Sequence, residues 1–475
     1  MAMQLGFRTR CYPQPEMADT LARWIGCQRV AGNAKDAEVN YLLWLRKRAI
    51  LSPSWTDSDP QGEGFPLDQS FAQFKDPELT PWLSEVPSQI LRNGVVRYKR
   101  GWTNHWKNPG HFRRPRSKKK WEGNSVWLTR ELFGFVGPNR VELGTVAHPI
   151  GVLAFVQHRD VPEPNSLVLT RTRYGHWFLS YSSDALEGPE LLPDAERLQA
   201  LAQDPDLDAK VQGIDRGIVV PAATSGGGLY QLDDAAKERL KRLEKQRKHY
   251  QRAVARKPKG SRRREKAQAK ASHRCADSAA IREDFLRQTS FRIAQDAPEV
   301  TALEDLNLKG MTKRAKAKRD EATGQWLRNG GAQKTGLNKA LANAGLGKFK
   351  VYLEQALRKL GKLLILVPAH HSSQECSACG HTEEANRPDQ ATFLCQRCGF
   401  ADNADLNAAK IIRKRGLALI RTAGTAGCAR SGQAKQAGRP QGRGVVRRKQ
   451  GEQPSATPAK REKETSSFSR RTSAA

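Results

Sequence analysis

The chain has 475 residues, with 81 Lys and Arg against 49 Asp and Glu, a formal net charge of +32. An excess of that size repels itself in a compact state unless a polyanion neutralises it, and each neutralised phosphate releases condensed cations, so nucleic acid is the expected partner. The longest purely aliphatic run, Leu363 to Val367, is far short of the roughly 20 residues of a spanning helix. With no apolar signal stretch at the N-terminus, the expectation is a soluble protein of a reducing compartment with no membrane partner.

Residues 4–12, QLGFRTRCY, alternate as a strand with Arg8 and Arg10 on one side. From Pro15 the pattern turns helical, SPSWTDSDPQGEGFP reads as a loop, and a second helical region covers roughly 66–106. It ends in WTNHWKNPGHFRRPRSKKKW, where Trp102, Trp106, Phe112 and Trp121 interleave with Lys and Arg. Aromatic faces stack on bases while cations meet phosphates, so this stretch reads as a nucleic-acid surface; the plainer alternative is a basic loop pinned by core aromatics. Residues 125–182 carry five short alternating or apolar segments, SVWLTR, RVELGTV, VLAFVQH, SLVLTRTR and HWFLSYS. They predict a small barrel or sheet with the N-terminal strand at its edge. A polar linker, residues 182–210, follows.

VQGIDRG, IVVPAAT and LYQL then read as three consecutive strands. The basic stretch Ala235 to Ser290 is helical at its two ends and interrupted by KPKGS at 257–261. VTALEDL (300–306) reads as a buried strand, residues 336–361 as a helix, KLLILVPA (362–369) as a strand, and DNADLNAAKIIRKR as a helix. Three strands, helix, strand, helix, strand, helix is the order of an RNase H-like fold. Residues 416–475 have little aliphatic content after Ile420 and are expected to be disordered.

Three carboxylates fall where that order can bring them together. Asp215 lies in the apolar strand GIDRGIVV, Glu304 ends VTALED, and Asp405 opens ADLNAAKII. Burying a carboxylate is costly unless a cation or hydrogen bonds compensate it, and three together demand metal. Two Mg²⁺ ions suit such hard oxygen ligands and the in-line displacement of a phosphodiester. Singly, Asp215 also reads as a turn residue and Asp405 as a helix N-cap, while Asp305 competes with Glu304. Cys376, Cys379, Cys395 and Cys398 form two CxxC knuckles at zinc-ribbon spacing, which predicts one closed, structural Zn²⁺ with four thiolates. The remaining cysteines read as buried or idle thiols.

These residues resemble the TnpB family of insertion-sequence-encoded RNA-guided nucleases, relatives of the compact type V CRISPR effectors. The likeness runs through GIDRG, REDFLRQTS, LEDLNLKGM, GLGKFKVYLEQAL, SSQECSACG, FLCQRCG and NADLNAAKII, and extends to the opening FRTRCYPQPEMADTLARWIGCQRVAGN. HHSSQ stands where the family usually has an aromatic-Thr-Ser-Gln lead-in, and no motif assigns the long basic tail a role. The resemblance implies a multidomain α+β protein: a wedge strand at 1–14, a helical recognition domain at 15–120, a wedge β domain at 121–205 and a RuvC nuclease domain at 206–415 with a zinc ribbon at 374–401. It implies that Asp215, Glu304 and Asp405 are catalytic and hold Mg²⁺, that the partners are a guide RNA and double-stranded target DNA, and that the protein is prokaryotic, cytoplasmic and nucleoid-associated. Arg8, Arg10, Gln28 and Arg29 resemble segments near the flanking-motif duplex, where Arg and Gln read base edges or only grip phosphates. The rival functions are a non-catalytic RNA-guided DNA binder, a type V CRISPR effector using a CRISPR RNA, and a transposase in its own right. No tyrosine carries a flanking His pair, which argues against the last.

Overall fold

The computed structural model describes residues 4–48, 68–120, 123–157, 163–184, 193–321 and 323–425. The loop at 52–66, Trp121 and the tail beyond 425 lie outside the described residues.

The first half runs β1 (Gln4–Tyr12), α1 (Pro15–Lys47), α2 (Ser88–Lys107), β2 (Ser125–Thr129), β3 (Phe133–Gly137), β4 (Arg140–Thr145), β5 (His148–Phe155), β6 (Ser166–Arg171) and β7 (Trp177–Asp184). The predicted helix from residue 66 begins only at Ser88, because Pro77, Pro81 and Pro87 allow no more than single turns at 72–74 and 81–83. The seven strands form one antiparallel sheet in the order β2-β6-β7-β1-β5-β4-β3. β1 is therefore central, not an edge: Phe7 pairs with Tyr181 on one side and Cys11 with Phe155 on the other. Its odd positions Phe7, Thr9 and Cys11 are buried, leaving Arg8 outward. The two edge strands, β2 and β3, are joined by only Arg130–Leu132. Such a link reaches about 14 Å, whereas the edges of a flat seven-stranded sheet lie about 29 Å apart, so the sheet curls toward closure.

α1 and α2 share one core with this sheet. Leu21, Trp24, Ile25, Ile90 and Val95 pack with Leu128, Leu153, Leu167 and Leu179. The helices cross where Gly94 has no side chain; a Cβ there would lie 2.4 Å from the Gln28 carbonyl oxygen.

The second half contains α3 (Asp194–Ala202), inside the stretch predicted as linker, then β8 (Val211–Asp215), β9 (Ala222–Thr224), β10 (Leu229–Tyr230), α4 (Asp234–Ala255), α5 (Arg262–Asp296) and β11 (Val300–Glu304). After these come α6 (Leu308–Met311), β12 (Lys318–Arg319), β13 (Trp326–Leu327), α7 (Gly331–Ala344), α8 (Leu346–Lys359), β14 (Leu363–Val367), β15 (Thr392–Leu394), β16 (Ala401–Asn403) and α9 (Ala404–Thr425). Five strands pair in the order β10-β9-β8-β11-β14, with β8, β11 and β14 parallel and β9 antiparallel to its neighbours. Strand alternation sends Val300 and Ala302 to a core with Leu201, Ile412, Leu417 and Ile420 of α3 and α9. It sends Ile214 and Leu303 to the opposite core, with Leu286, Ile293, Phe349 and Leu353 of α5 and α8. The result is a sheet with helices on both faces.

Two boundaries differ from expectation. The helix predicted at 336–361 is two helices, because Gly345 adopts φ 67°, ending α7 and starting α8. α9 runs past residue 415 to Thr425, with Leu417 and Ile420 buried. Gly416, which reads as the start of a tail, instead lets α9 approach Ala302, whose Cβ would be 2.7 Å from an added one.

α9 approaches β8 more closely still. A Cβ on Gly213 would stand 2.2 Å from the Ala409 carbonyl oxygen and 2.4 Å from the Arg413 nitrogen. Gly213→Ala is expected to lower stability by about 1–3 kcal/mol or more, read as a drop in melting temperature. Gly226→Ala, with nothing within 4 Å of the added carbon, should melt close to the parent.

Candidate metal centre

β8 and β11 are parallel neighbours, so Asp215 and Glu304, the last residues of each, emerge at the same end of the sheet. α9 then lays Asp405, in its first turn, beside them. Burial pushes the Asp215 carboxyl well above the usual carboxylate range, and the charges of Glu304 and Asp405 both push it further. Burial likewise raises Glu304 and Asp405. The three predicted carboxylates thus share one electrostatic environment.

Their compensation is partial. Ser372 Oγ donates to Glu304 Oε1 at 3.0 Å, and Arg387 Nη2 lies 3.2 Å from Asp405 Oδ1. Arg216 is buried, but it donates to the backbone carbonyls of Leu346, at 3.0 Å, and Glu304. Its guanidinium ties β8, β11 and α8 together, while its backbone N–H favours the charged forms of Asp215 and Glu304. Oxygen-rich and only partly neutralised, these donors are of the kind a hard divalent cation prefers, although among the described residues the four cysteines alone have their ligand atoms within 4.8 Å of one another.

The competing roles resolve by geometry. Asn403 Oδ1 accepts the backbone N–H groups of Asp405 at 3.0 Å and Leu406 at 3.2 Å. Asn403 therefore caps α9, and the Asp405 carboxylate is left for the centre. Asp305 is exposed, and its N–H donates to the Val367 carbonyl at 2.8 Å; strand alternation turns its side chain away from Glu304. Ser372 and Arg387 were not legible as site residues, since neither lies on a strand or helix of the carboxylate set.

Both come from the cysteine module, residues 370–403. The four Sγ atoms lie within 4.8 Å of one another, with Cys376–Cys398 at 3.8 Å and Cys379–Cys395 at 3.6 Å. Four thiolates at about 2.3 Å around a tetrahedral zinc stand about 3.8 Å apart, so the donor set and its geometry fit one closed Zn²⁺ site. Asn407 of α9 donates to the Glu375 carbonyl at 2.8 Å and accepts the Ser377 N–H at 2.9 Å. Asn386 donates to the Gln374 and His381 carbonyls and accepts the Gln396 N–H. These bonds fix the module to the helix that carries Asp405 and so hold Arg387 where it meets that carboxylate.

The predicted nucleic-acid residues divide. A groove of about 1310 Å³ runs between the outward face of β1, β6 and β7, α2 and α5; Arg8, Arg97, Arg100 and Arg287 stand along it over Ala276 and Ala279. Arg8 stacks on Phe178 at 4.5 Å, and Arg10 bonds His176. Arg29 is partly exposed, near the Lys120 carbonyl. Gln28 is not available as a base reader. It is buried, accepts the Trp127 N–H at 2.9 Å, donates to the Trp127 carbonyl at 2.9 Å and also accepts from Arg97. A polar side chain so buried must satisfy its own donors and acceptors, and this one does so by stapling α1 to β2. Trp102 is likewise core, 2% exposed beside Val39 and Tyr98, with Trp106 half-buried against it; Phe112 is exposed.

Comparison with known proteins agrees with the resemblance to TnpB. Residues 196–315 match a family model described as a probable transposase, OrfB of IS605, and residues 347–412 match the Cas12f1-like TNB domain. Residues 1–33 match a helix-turn-helix domain model of OrfB, although they form a strand followed by one continuous helix here. The chain is 26% identical over 348 residues to the Escherichia coli (strain K12) protein named "Putative RNA-guided DNA endonuclease InsQ", covering 73% of this chain and 79% of that one. A protein named as an RNA-guided DNA endonuclease in the same terms, from Streptomyces pristinaespiralis, is 25% identical over 413 residues, 87% of this chain and 89% of its own. Among solved structures, a Cas12f1–sgRNA–target DNA complex aligns with a TM-score of 0.49 at 12% identity, covering 87% of this chain and 99% of that one.

Two outcomes follow from the geometry. Protein prepared without chelator should carry about one equivalent of zinc, and Cys379→Ser should lose it and destabilise the C-terminal half; metal analysis and thermal melting read both. With magnesium absent and zinc retained, Asp215→Asn should raise the melting temperature by removing a buried carboxyl that resists ionisation. A carboxyl whose folded pKa is raised costs nothing below its unfolded pKa and costs progressively more as pH climbs toward the folded value. The gain should therefore be larger at neutral than at mildly acidic pH.

Proposed function

We propose that this chain, like the relatives it resembles, is an RNA-guided DNA endonuclease in which Asp215, Glu304 and Asp405 form a RuvC-type centre. The observation that carries the reading is the convergence of these three carboxylates, from two parallel strand ends and a helix start, into one environment with raised pKa values. Structural acids are normally paired; a partly compensated cluster at a sheet end is the signature of a functional site. On this reading residues 206–425 form the nuclease domain with the zinc ribbon inserted before α9, and the seven-stranded sheet with α1 and α2 forms the wedge and recognition parts.

Asp215, Glu304 and Asp405 would hold two Mg²⁺ ions, which supply an activated water and neutralise charge on the phosphodiester. Ser372 orients the Glu304 carboxylate by its hydrogen bond. Arg387 holds Asp405 through its ion pair. Arg8, Arg10, Arg29 and Phe112 are assigned to nucleic-acid contact, with the arginine-rimmed groove receiving the guide and its paired strand. Base pairing reads sequence there, while protein contacts read backbone and shape.

Asp215→Ala or Glu304→Ala should lower guided DNA cleavage by at least about 10³-fold, because the carboxylates act as a unit, and leave guided binding intact. Asp305→Ala should cleave as the parent does. Purified complex, its co-purified RNA sequenced and a matching target supplied, tests both. Cleavage lost in Asp305→Ala and kept in Glu304→Ala would overturn the assignment on β11.

A further inference from the structure

One surface feature is used neither by the carboxylate centre nor by the groove. Between β11 and α8 the chain makes an excursion that leaves the centre at Glu304 and returns to it at Leu346, whose carbonyl accepts from Arg216, the residue after Asp215. Midway stands the hairpin β12–β13, and on it Trp326 is 73% exposed, more than any other aromatic side chain described. Leu327, also exposed, follows it.

The hairpin is small but braced. Asp320 N–H donates to the Gln325 carbonyl at 2.8 Å, Gly324 N–H to the Asp320 carbonyl at 2.9 Å, and Arg319 Nε to the Gly324 carbonyl at 2.8 Å. Gly324 takes φ 67°, a turn conformation that favours glycine. At its base Asn329 donates to the Lys316 carbonyl, and from α7 Lys334 donates to Met311 and Asn338 to Thr312. Two two-residue strands would not persist alone, so these bonds hold Trp326 outward. Arg319 sits 5.9 Å from its ring centre, leaving a face of the indole to solvent.

The surroundings are cationic. Residues 306–334 contain eight Lys and Arg against Asp320 and Glu321, and Lys313, Arg314 and Lys316 are exposed. An open indole flanked by cations on a braced tip has the chemistry of a single-strand platform, where bases stack on the ring and phosphates meet the charges. A duplex hides its base faces and has nothing to offer the indole. A protein partner covering Trp326 would need acidic complementarity, which the same charge favours less specifically than a phosphate backbone. We propose that the β12–β13 hairpin is a stacking platform for single-stranded nucleic acid, with Trp326 stacking on a base. That the strand belongs to the guide or target of a nuclease rests on the reading above; the stacking itself does not.

The test uses the full chain with its co-purified RNA, in an Asp215→Ala background so that nothing is cut. Short single strands of DNA and of RNA carrying 5-iodouracil are bound at raised salt, which suppresses the non-specific charge contribution. Trp326→Ala should weaken single-strand binding about 5- to 150-fold, the equivalent of one stacked base at about 1–3 kcal/mol. Trp326→Phe should retain most of the affinity, duplex binding should not change, and photo-crosslinks should map to the peptide containing Trp326. The DNA and RNA arms identify which strand the platform prefers. Equal single-strand affinity in Trp326→Ala and its parent, or crosslinks that miss the hairpin, would overturn the proposal, as would an oligomer that dissociates in Trp326→Ala while strand affinity holds. Because binding is read without cleavage, an inactive parent would count against the nuclease reading and leave this result standing.

Discussion

The backbone-to-backbone crossing of α9 on β8 is the constraint from which the rest of the site follows. Gly213 lies two residues before Asp215, and Ala409, whose carbonyl fills the space a Cβ would take, lies one turn after Asp405. Only with that spacing can a carboxylate on the helix and one on the strand share an environment. Gly416, further along the same helix, repeats the arrangement against Ala302 on β11. Two glycines on different elements thus set the depth at which α9 beds into the sheet. Such contacts leave little tolerance, since packed interiors transmit a displaced helix directly to the residues it carries.

Bringing the carboxylates together creates an electrostatic conflict that the fold only half resolves. Ser372 and Arg387 each attend to one carboxylate, while Asp215 keeps a raised pKa from burial and from both neighbours. A protein selected only for stability would pair or remove such a group; on the proposed reading, a bound cation would relieve the conflict. The cysteine module matters here because both attending residues belong to it. Its hydrogen bonds to α9 through Asn407 and Arg415 mean that a thiolate-bound zinc would stiffen the same helix start that carries Asp405. Zinc and the carboxylate centre would then be coupled through structure, with no shared ligand.

What was legible in the sequence was whatever has a period or a spacing. The order of strands and helices after residue 210, the carboxylates at strand ends and the two CxxC knuckles all show themselves along the chain. What was not legible depends on contacts distant in sequence. β1 looks like an edge because nothing local reveals that both its sides are paired, to β5 and β7, more than 140 residues away. Gln28 looks like a base reader because its segment resembles one that lies near the flanking-motif duplex; that it staples Trp127 appears only once α1 lies on β2. Trp102 misled in the same way, its basic neighbours disguising a core position. The end of α9 was missed because Gly416 and the following alanines carry the composition of a tail, while Gly416 in fact serves the close packing of α9 on Ala302.

The distribution of the surplus charge bears on how such a protein can read a polyanion without reading its sequence. The groove between the seven-stranded sheet and α5 has arginines along it, while α5 presents Ala276, Ala279 and Ala280 to it. α5 also presents Glu283 and Asp284 there; on the proposed reading, the small side chains would let a backbone come close and the arginines would meet phosphates, selecting for shape and charge over base identity. Buried arginines play a different part. Arg97, desolvated between α1, α2 and β2, gives its hydrogen bonds to Gln28 and Ser125, and Arg216 gives its own to backbone carbonyls. Arginine in this chain thus serves two ends: Arg97 and Arg216 join elements through hydrogen bonds, while Arg8 and Arg100 stand exposed along the groove.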